Sequence, residues 1–340
     1  MADFLERQRT LDSYWRAVIL FGRNVASYKF ALAKSLIELS AEKKSFVTLE
    51  ELAIPFSKHI VEHLQSAPKQ ATSSSSRFLE ACRKSSVGEI DAEELTSQTV
   101  SLGFNNVIDA FHIVNRAEIP VRFFLDERGS GKAGIRLTDE LFRLREQIQF
   151  GNLPQEVEAR WRLVETAWQL NLPSRLIIGL DDDCETLTTN HFGRRVAVTR
   201  SRDALNGYQK GKCFYCFSDM SIDGAAATLA DVDHFFPRVL LRLGVFLPLD
   251  GIWNLVLSCR NCNRGIAGKS SLLPEKRLLE RISTRNEFLI QSHHPLRETL
   301  IAQMGPTKDE RIGFLNSLYN EALERLIHTW KPSFEHEPAF

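Results

Sequence analysis

Four cysteines in two Cys-x-x-Cys pairs, KCFYC and SCRNC, bracket a run that is both apolar and charged, DVDHFFP. A Cys-x-x-Cys turn sets two thiolates on one metal with little strain. Two such turns close a tetrahedral four-thiolate zinc site with no open position. Cys213, Cys216, Cys259 and Cys262 are therefore read as ligands of a structural Zn2+, with a redox dithiol or unconnected cysteines as the competing readings. Such a site staples the two ends of a loop of forty-two residues, and its binding energy is folding energy. Cys82 and Cys184 stand alone and read as small buried side chains.

Inside the loop, Asp231, Asp233 and His234 share one short strand whose apolar positions are Val232 and Phe235, and Pro237 ends it. Asn254 opens a second strand, NLVL, and Asn263 follows the last cysteine, where a helix start is expected. Strand, strand and helix would gather Asp233, His234, Asn254 and Asn263 at one small cleft. A histidine titrates near pH ~6.5 and can take a proton at neutrality. Neighbouring strand residues face opposite sides, so Asp233 and His234 can serve one centre only through a bulge or an end-of-strand twist.

The order DVDHFFP, NLVL, CNRG between two cysteine pairs resembles the HNH endonucleases, whose fold is the ββα-metal finger, and among them the branch stabilised by a four-cysteine zinc site. The region after His234 is also similar to the HNH domain of RNA-guided CRISPR nucleases. The resemblance covers residues 205 to 275, and the third letter is asparagine where many members carry histidine. It implies a metal-dependent endonuclease that hydrolyses phosphodiester bonds, in DNA first of all, one strand per active site. His234 would be the general base, and Asp233 with Asn263 would hold the catalytic Mg2+ or Mn2+. Asn254 would orient the imidazole or brace the strands, and Asp231 would be a spare ligand. Arg260, Arg264 and Lys269 would meet nucleic-acid phosphates. HNH domains are often joined to sensor domains, which extends the expectation to a bacterial antiviral defence or restriction system, with a homodimer or a defence partner protein. The alternative is a zinc-stabilised module that binds nucleic acid without cutting it.

Charge agrees with a polyanionic partner held at one place. The chain is neutral overall, yet residues 190–285 hold 15 Lys and Arg against 8 Asp and Glu. No run reaches the ~18 apolar residues of a membrane helix, and the charged start lacks a signal-peptide pattern, so a cytoplasmic protein is expected.

The elements that must position this finger read as an α+β chain: a mostly helical N-terminal region, then the HNH domain, then C-terminal helices. Five segments are expected. Residues 1–66 are helical, with helices over 14–44 and from Thr48 towards Leu64. Residues 67–150 begin in a Ser-rich linker (65–77), continue in a helical block including 102–115, and end in a hairpin through ERGSGKAG. That order suits a winged-helix-like module, or equally any small α+β domain. Residues 151–200 carry a connecting helix (154–170) and strands at 174–180 and 194–200. Residues 201–285 are the nuclease domain, and 286–340 a helical region opened by the capping box of Thr307 and Glu310. Four groups are set aside: His293 and His294 as a turn, 181–185 as a solvated acidic loop, His59 and His63 as a surface pair, and His112 as core.

Overall fold

The structure is a computed structural model that describes residues 9–21, 26–72, 75–114, 117–129, 133–169, 178–180, 186–191, 194–245, 247–291 and 296–340. The chain is α+β and divides into two compact units, residues 9–171 and a second unit that holds residues 172–340. Among the described residues no helix is long and apolar enough to cross a membrane.

The first unit contains α1 (Leu11–Phe21), α2 (Tyr28–Leu39), β1 (Phe46–Thr48), α3 (Leu49–Ser66), α4 (Arg77–Ser86), α5 (Ala92–Gln98) and α6 (Val107–Ala110). There follow β2 (Ile113–Val114), β3 (Ala117–Glu118), β4 (Phe124–Asp126), β5 (Gly134–Leu137), α7 (Asp139–Arg145) and α8 (Leu153–Gln169). Thr48 opens α3 with a reciprocal capping box: its hydroxyl accepts from the Glu51 amide while the Glu51 carboxylate accepts from the Thr48 amide. β4 and β5 form the expected hairpin. β1 then adds to β5 to give a three-stranded sheet in the order β1-β5-β4.

The helical block expected to include 102–115 is not continuous helix over its described residues. A π-helical turn at Thr99–Gly103, the four-residue α6 and the β2–β3 pair replace it. Asn105 and Asn106 favour turns over helix interiors, which breaks the run. The helical stretch over 14–44 is likewise two helices, with Ala26 bridged to Ala71 between them.

The core of this unit is aromatic. Trp15 meets Phe111 and Phe123 edge-on, and Phe56 packs against Tyr28, Phe78 and Phe104. His59 and His63 are not a surface pair, because both are buried. His63 stacks on Trp161 at 3.5 Å and bridges the carboxylates of Glu165 (2.6 Å) and Glu158 (3.1 Å).

The second unit starts with the antiparallel sheet β6 (Ile178–Leu180), β7 (Thr186–His191) and β8 (Arg194–Arg200), then α9 (Ser201–Gln209). The finger follows: β9 (Asp231–His234), α10 (Val239–Arg242), β10 (Leu255–Ser258) and α11 (Arg260–Arg264). Last come β11 (Leu273–Pro274), α12 (Lys276–Gln291), α13 (Arg297–Met304), α14 (Lys308–Arg325) and β12 (Thr329–Trp330). The Thr307–Glu310 capping box is present at the start of α14. The middle strand β7 carries no alternation that marked it in the sequence. Cys184 and the acidic loop 181–185 lie outside the described residues, as do His293 and His294.

His112 is core, as expected, and its Nε2 accepts the Phe123 amide at 3.0 Å. Burial, reinforced by the nearby Arg122 and Lys29, lowers its pKa to about 3. The unfolded chain takes up this proton near pH ~6.5, the folded chain not until about pH 3, so stability is lost as pH falls through that window. The slope from this one group is ~1.4 kcal/mol per pH unit. Urea unfolding at pH 7 and pH 5 should therefore show wild type losing about 2 kcal/mol more than His112→Gln. Equal losses would mean that the imidazole is not held neutral.

Candidate metal centre and the finger around it

The four sulfurs of Cys213, Cys216, Cys259 and Cys262 lie within 4.8 Å of one another. Cys216 Sγ and Cys259 Sγ are 3.7 Å apart, too far for a disulfide. A tetrahedron with Zn–S bonds of ~2.3 Å has edges of about 3.8 Å, so the spacing fits zinc. The first knuckle is shaped by backbone bonds from Cys213 N–H to Ser218 O and from Phe217 N–H to Cys213 O, with Phe217 held at φ +60°. Cys259 N–H donates to Cys213 Sγ at 3.3 Å, so the second knuckle closes directly on the first. Burial pushes the Cys213 thiol well up, and a cation at the centre would make four thiolates tolerable there.

The ladder above the cluster is regular. β9 and β10 pair antiparallel, His234 opposite Leu255 and Asp233 opposite Val256, through to Asp231 opposite Ser258. No bulge interrupts these four pairs, so Asp231 and Asp233 share one face and His234 belongs to the other. The open edge of β10 is closed by a side chain: Gln209 donates to Leu257 O and accepts from Leu257 N–H, both at 2.8 Å. Arg281 donates to the carbonyls of Phe214 and Tyr215 and lies over the Phe217 ring at 4.3 Å, which pins the first knuckle to α12.

The two faces have different chemistry. His234 is buried, and its Nε2 is 2.8 Å from Asp250 Oδ1; Arg238 Nε approaches the same oxygen at 3.3 Å. Burial lowers the His234 pKa, and Asp250 offsets this only in part, so the ring is neutral at pH 7. On the other face, Asp233 accepts from the Tyr215 hydroxyl at 2.6 Å and from Lys269 Nζ at 3.1 Å. Burial keeps the Tyr215 phenol protonated and donating. Asp231 accepts from Arg264 at 3.0 Å and from the Asn263 amide at 3.2 Å.

Several sequence expectations are corrected by these contacts. Asp233 and Asn263, expected to hold one divalent ion, have different partners: Asn263 turns to Asp231. Lys269, expected to meet phosphates, has a side chain with no solvent exposure and sits beneath Asp233. Arg260 and Arg264 are exposed on α11, Arg264 paired with Asp231. The helix begins at Arg260, capped by Cys259, so Asn263 lies inside it and not at its start. Asn254 is fully buried and does not touch the imidazole. It accepts from Phe236 N–H at 2.7 Å and donates to Phe236 O and Leu249 O, bracing both ends of the loop between the strands.

Tyr215 and Asp250 were not anticipated. Tyr215 carried a signal, an aromatic hydroxyl inside a knuckle packed against the strand bearing Asp233. Asp250 carried none, being a turn residue sixteen positions from His234. Among the described residues no second group of three His, Cys, Asp or Glu ligand atoms is drawn together. No family model, curated protein or solved structure matches this chain.

Metal analysis of protein purified without chelator should give one zinc per chain, and Cys216→Ser or Cys262→Ser should lose it. Structural zinc contributes on the order of 10 kcal/mol, so a zinc-free chain should lose the protease resistance of residues 201–285. Zinc retained by the serine variants would remove the cluster. Asn254→Ala should cost about 2–4 kcal/mol, because two buried carbonyls and one amide lose their partner. A change below about 0.5 kcal/mol in urea unfolding would show that the loop needs no brace.

Proposed function

We propose that residues 201–285 form a zinc-stapled ββα finger that hydrolyses phosphodiester bonds in nucleic acid, acting as an endonuclease on DNA. The observation that carries this reading is the buried His234 imidazole at the end of β9, whose Nε2 lies 2.8 Å from Asp250 Oδ1. In the neutral ring, the Nε2 proton is donated to Asp250 and Nδ1 is left as the basic atom. Nδ1 takes a proton from water, the oxygen attacks phosphorus, and the bond to the leaving sugar oxygen breaks; that oxygen is protonated from solvent. Asp250 fixes the ring and stabilises the imidazolium that forms. The exposed guanidinium groups of Arg238, Arg260 and Arg264 supply positive charge for the phosphate oxygens.

A divalent ion at Asp233 and Asn263 does not fit the site as it stands, because the Asp233 oxygens are already met by the Lys269 ammonium and the Tyr215 hydroxyl, and no step is routed through one. One base in one finger cuts one strand, so a double-strand break needs two fingers or two visits. The second reading is a finger that binds nucleic acid without cutting it. The Lys269–Asp233 pair favours it, since the carboxylate is already neutralised inside the protein.

Supercoiled plasmid incubated with the zinc-loaded protein should give relaxed circles before linear product. His234→Ala should lower the rate by ~10²–10⁴-fold with zinc content unchanged. Retention of plasmid without scission by both proteins would favour the binding module. Equal nicking by both would mean that the cleavage does not come from this finger.

A further inference from the structure

We propose that Lys269 is the resident cation of the finger: its ammonium, in place of a divalent metal ion, holds the Asp233 carboxylate in the working protein. This deepens the nuclease reading and rests on it only for its catalytic consequence.

The contacts leave little room for a second cation. Asp233 has one oxygen 3.1 Å from Lys269 Nζ and the other 2.6 Å from the Tyr215 hydroxyl. An ion bound to either oxygen would lie beside an ammonium with no solvent exposure, where like charges repel far more strongly than in solvent. Lys269 cannot easily leave. Its backbone N–H donates to Cys262 O at 2.7 Å, and the next N–H, of Ser270, donates to Asn263 O at 2.8 Å. Both acceptors lie on the helix that carries the last zinc ligand. The Trp330 indole donates to Ala267 O at 2.7 Å and clamps the same loop from the C-terminal side.

The turn that delivers Lys269 is itself constrained. A Cβ on Gly268 would meet Gly265 N at 2.8 Å and Asn261 O at 2.9 Å, so the chain reverses here only with glycine. Stripping the ammonium of its carboxylate would leave a buried unpaired charge on each side. Asp231, on the same face, is also paired, but at the surface, by the exposed Arg264 and by Asn263. Asp233 is thus a positioning residue that ties the first knuckle, through Tyr215, to the loop after α11. Hydrolysis by this finger should then proceed without added divalent metal, provided the structural zinc stays in place.

The test is a titration of zinc-loaded full-length protein with Mn2+, free ion being followed by electron paramagnetic resonance. Wild type should show no Mn2+ site that Asp233→Asn removes. Lys269→Met, which keeps the volume and deletes the charge, should gain a site binding roughly tenfold or more tighter than anything in wild type. The double variant Lys269→Met/Asp233→Asn should lose that site again. One Mn2+ bound by wild type and lost in Asp233→Asn would overturn the proposal, as would Lys269→Met binding no better than wild type. Zinc content and thermal unfolding report whether each variant is folded; should Lys269→Met fail, the wild-type titration decides alone. Plasmid nicking in metal-scrubbed buffer is scored separately. A protein that cuts under no condition loses the nuclease reading, while the titration still answers whose cation sits on Asp233.

Discussion

Four sulfurs packed within 4.8 Å of one another constrain everything else in the second unit. Left as thiolates without a cation they would repel across a few ångströms of protein, and left as thiols they would forfeit most of the stabilisation that the spacing suits. A metal between them would convert a loop of forty-two residues into a closed ring. A two-stranded ladder of four pairs is too small to stand by itself in water. The cluster gathers the chain on both sides of that ladder, so a metal there would align β9 and β10 by covalent chain leaving one centre.

The rest of the finger is held by side chains that behave as backbone. Gln209 completes the edge of β10 as a third strand would. Asn254 joins the segment after β9 to the segment before β10, and Arg281 takes two carbonyls of the first knuckle. Each group satisfies main-chain atoms that a larger sheet would have paired by itself. This is why so short an element holds buried amides without a wide hydrophobic layer. It is also why Asn254, which looks in sequence like part of a reaction centre, is spent on the fold.

What could be read from the chain follows the range of the forces involved. The four cysteines, the strand–strand–helix order, the helix start at Thr48 and the capping box of Thr307 are set by neighbours a few positions away, and they stand in the structure. Strand β1 was invisible because three residues have no period, and only β5, far along the chain, gives it a partner. The run 102–115 misled because its apolar spacing suits a helix while two adjacent asparagines favour a turn. At the site, residue types were legible and partners were not. The strand parity that separates His234 from Asp233 was plain, but which acceptor each would find depended on Asp250 and Lys269, brought in by loops whose path no local pattern encodes.

That parity divides the labour of the finger. One face of β9 carries two carboxylates, each met by a cation of the protein, Asp231 at the surface by Arg264 and Asp233 in the interior by Lys269. The other face carries a neutral imidazole whose carboxylate partner, Asp250, is shared with the exposed Arg238. The acids of the first face therefore add little net field to repel a polyanion. Arg238 on the second face stands where a phosphate drawn towards His234 would meet positive charge. An ion pair exposed to solvent is worth ~1 kcal/mol or less, so a phosphate can take Arg238 from Asp250 at small cost. The buried Lys269–Asp233 pair has no such freedom. A polyanion of the proposed kind would thus meet exchangeable pairs at Arg238 and Arg264, while the buried Lys269–Asp233 pair keeps the first knuckle tied to the loop after α11.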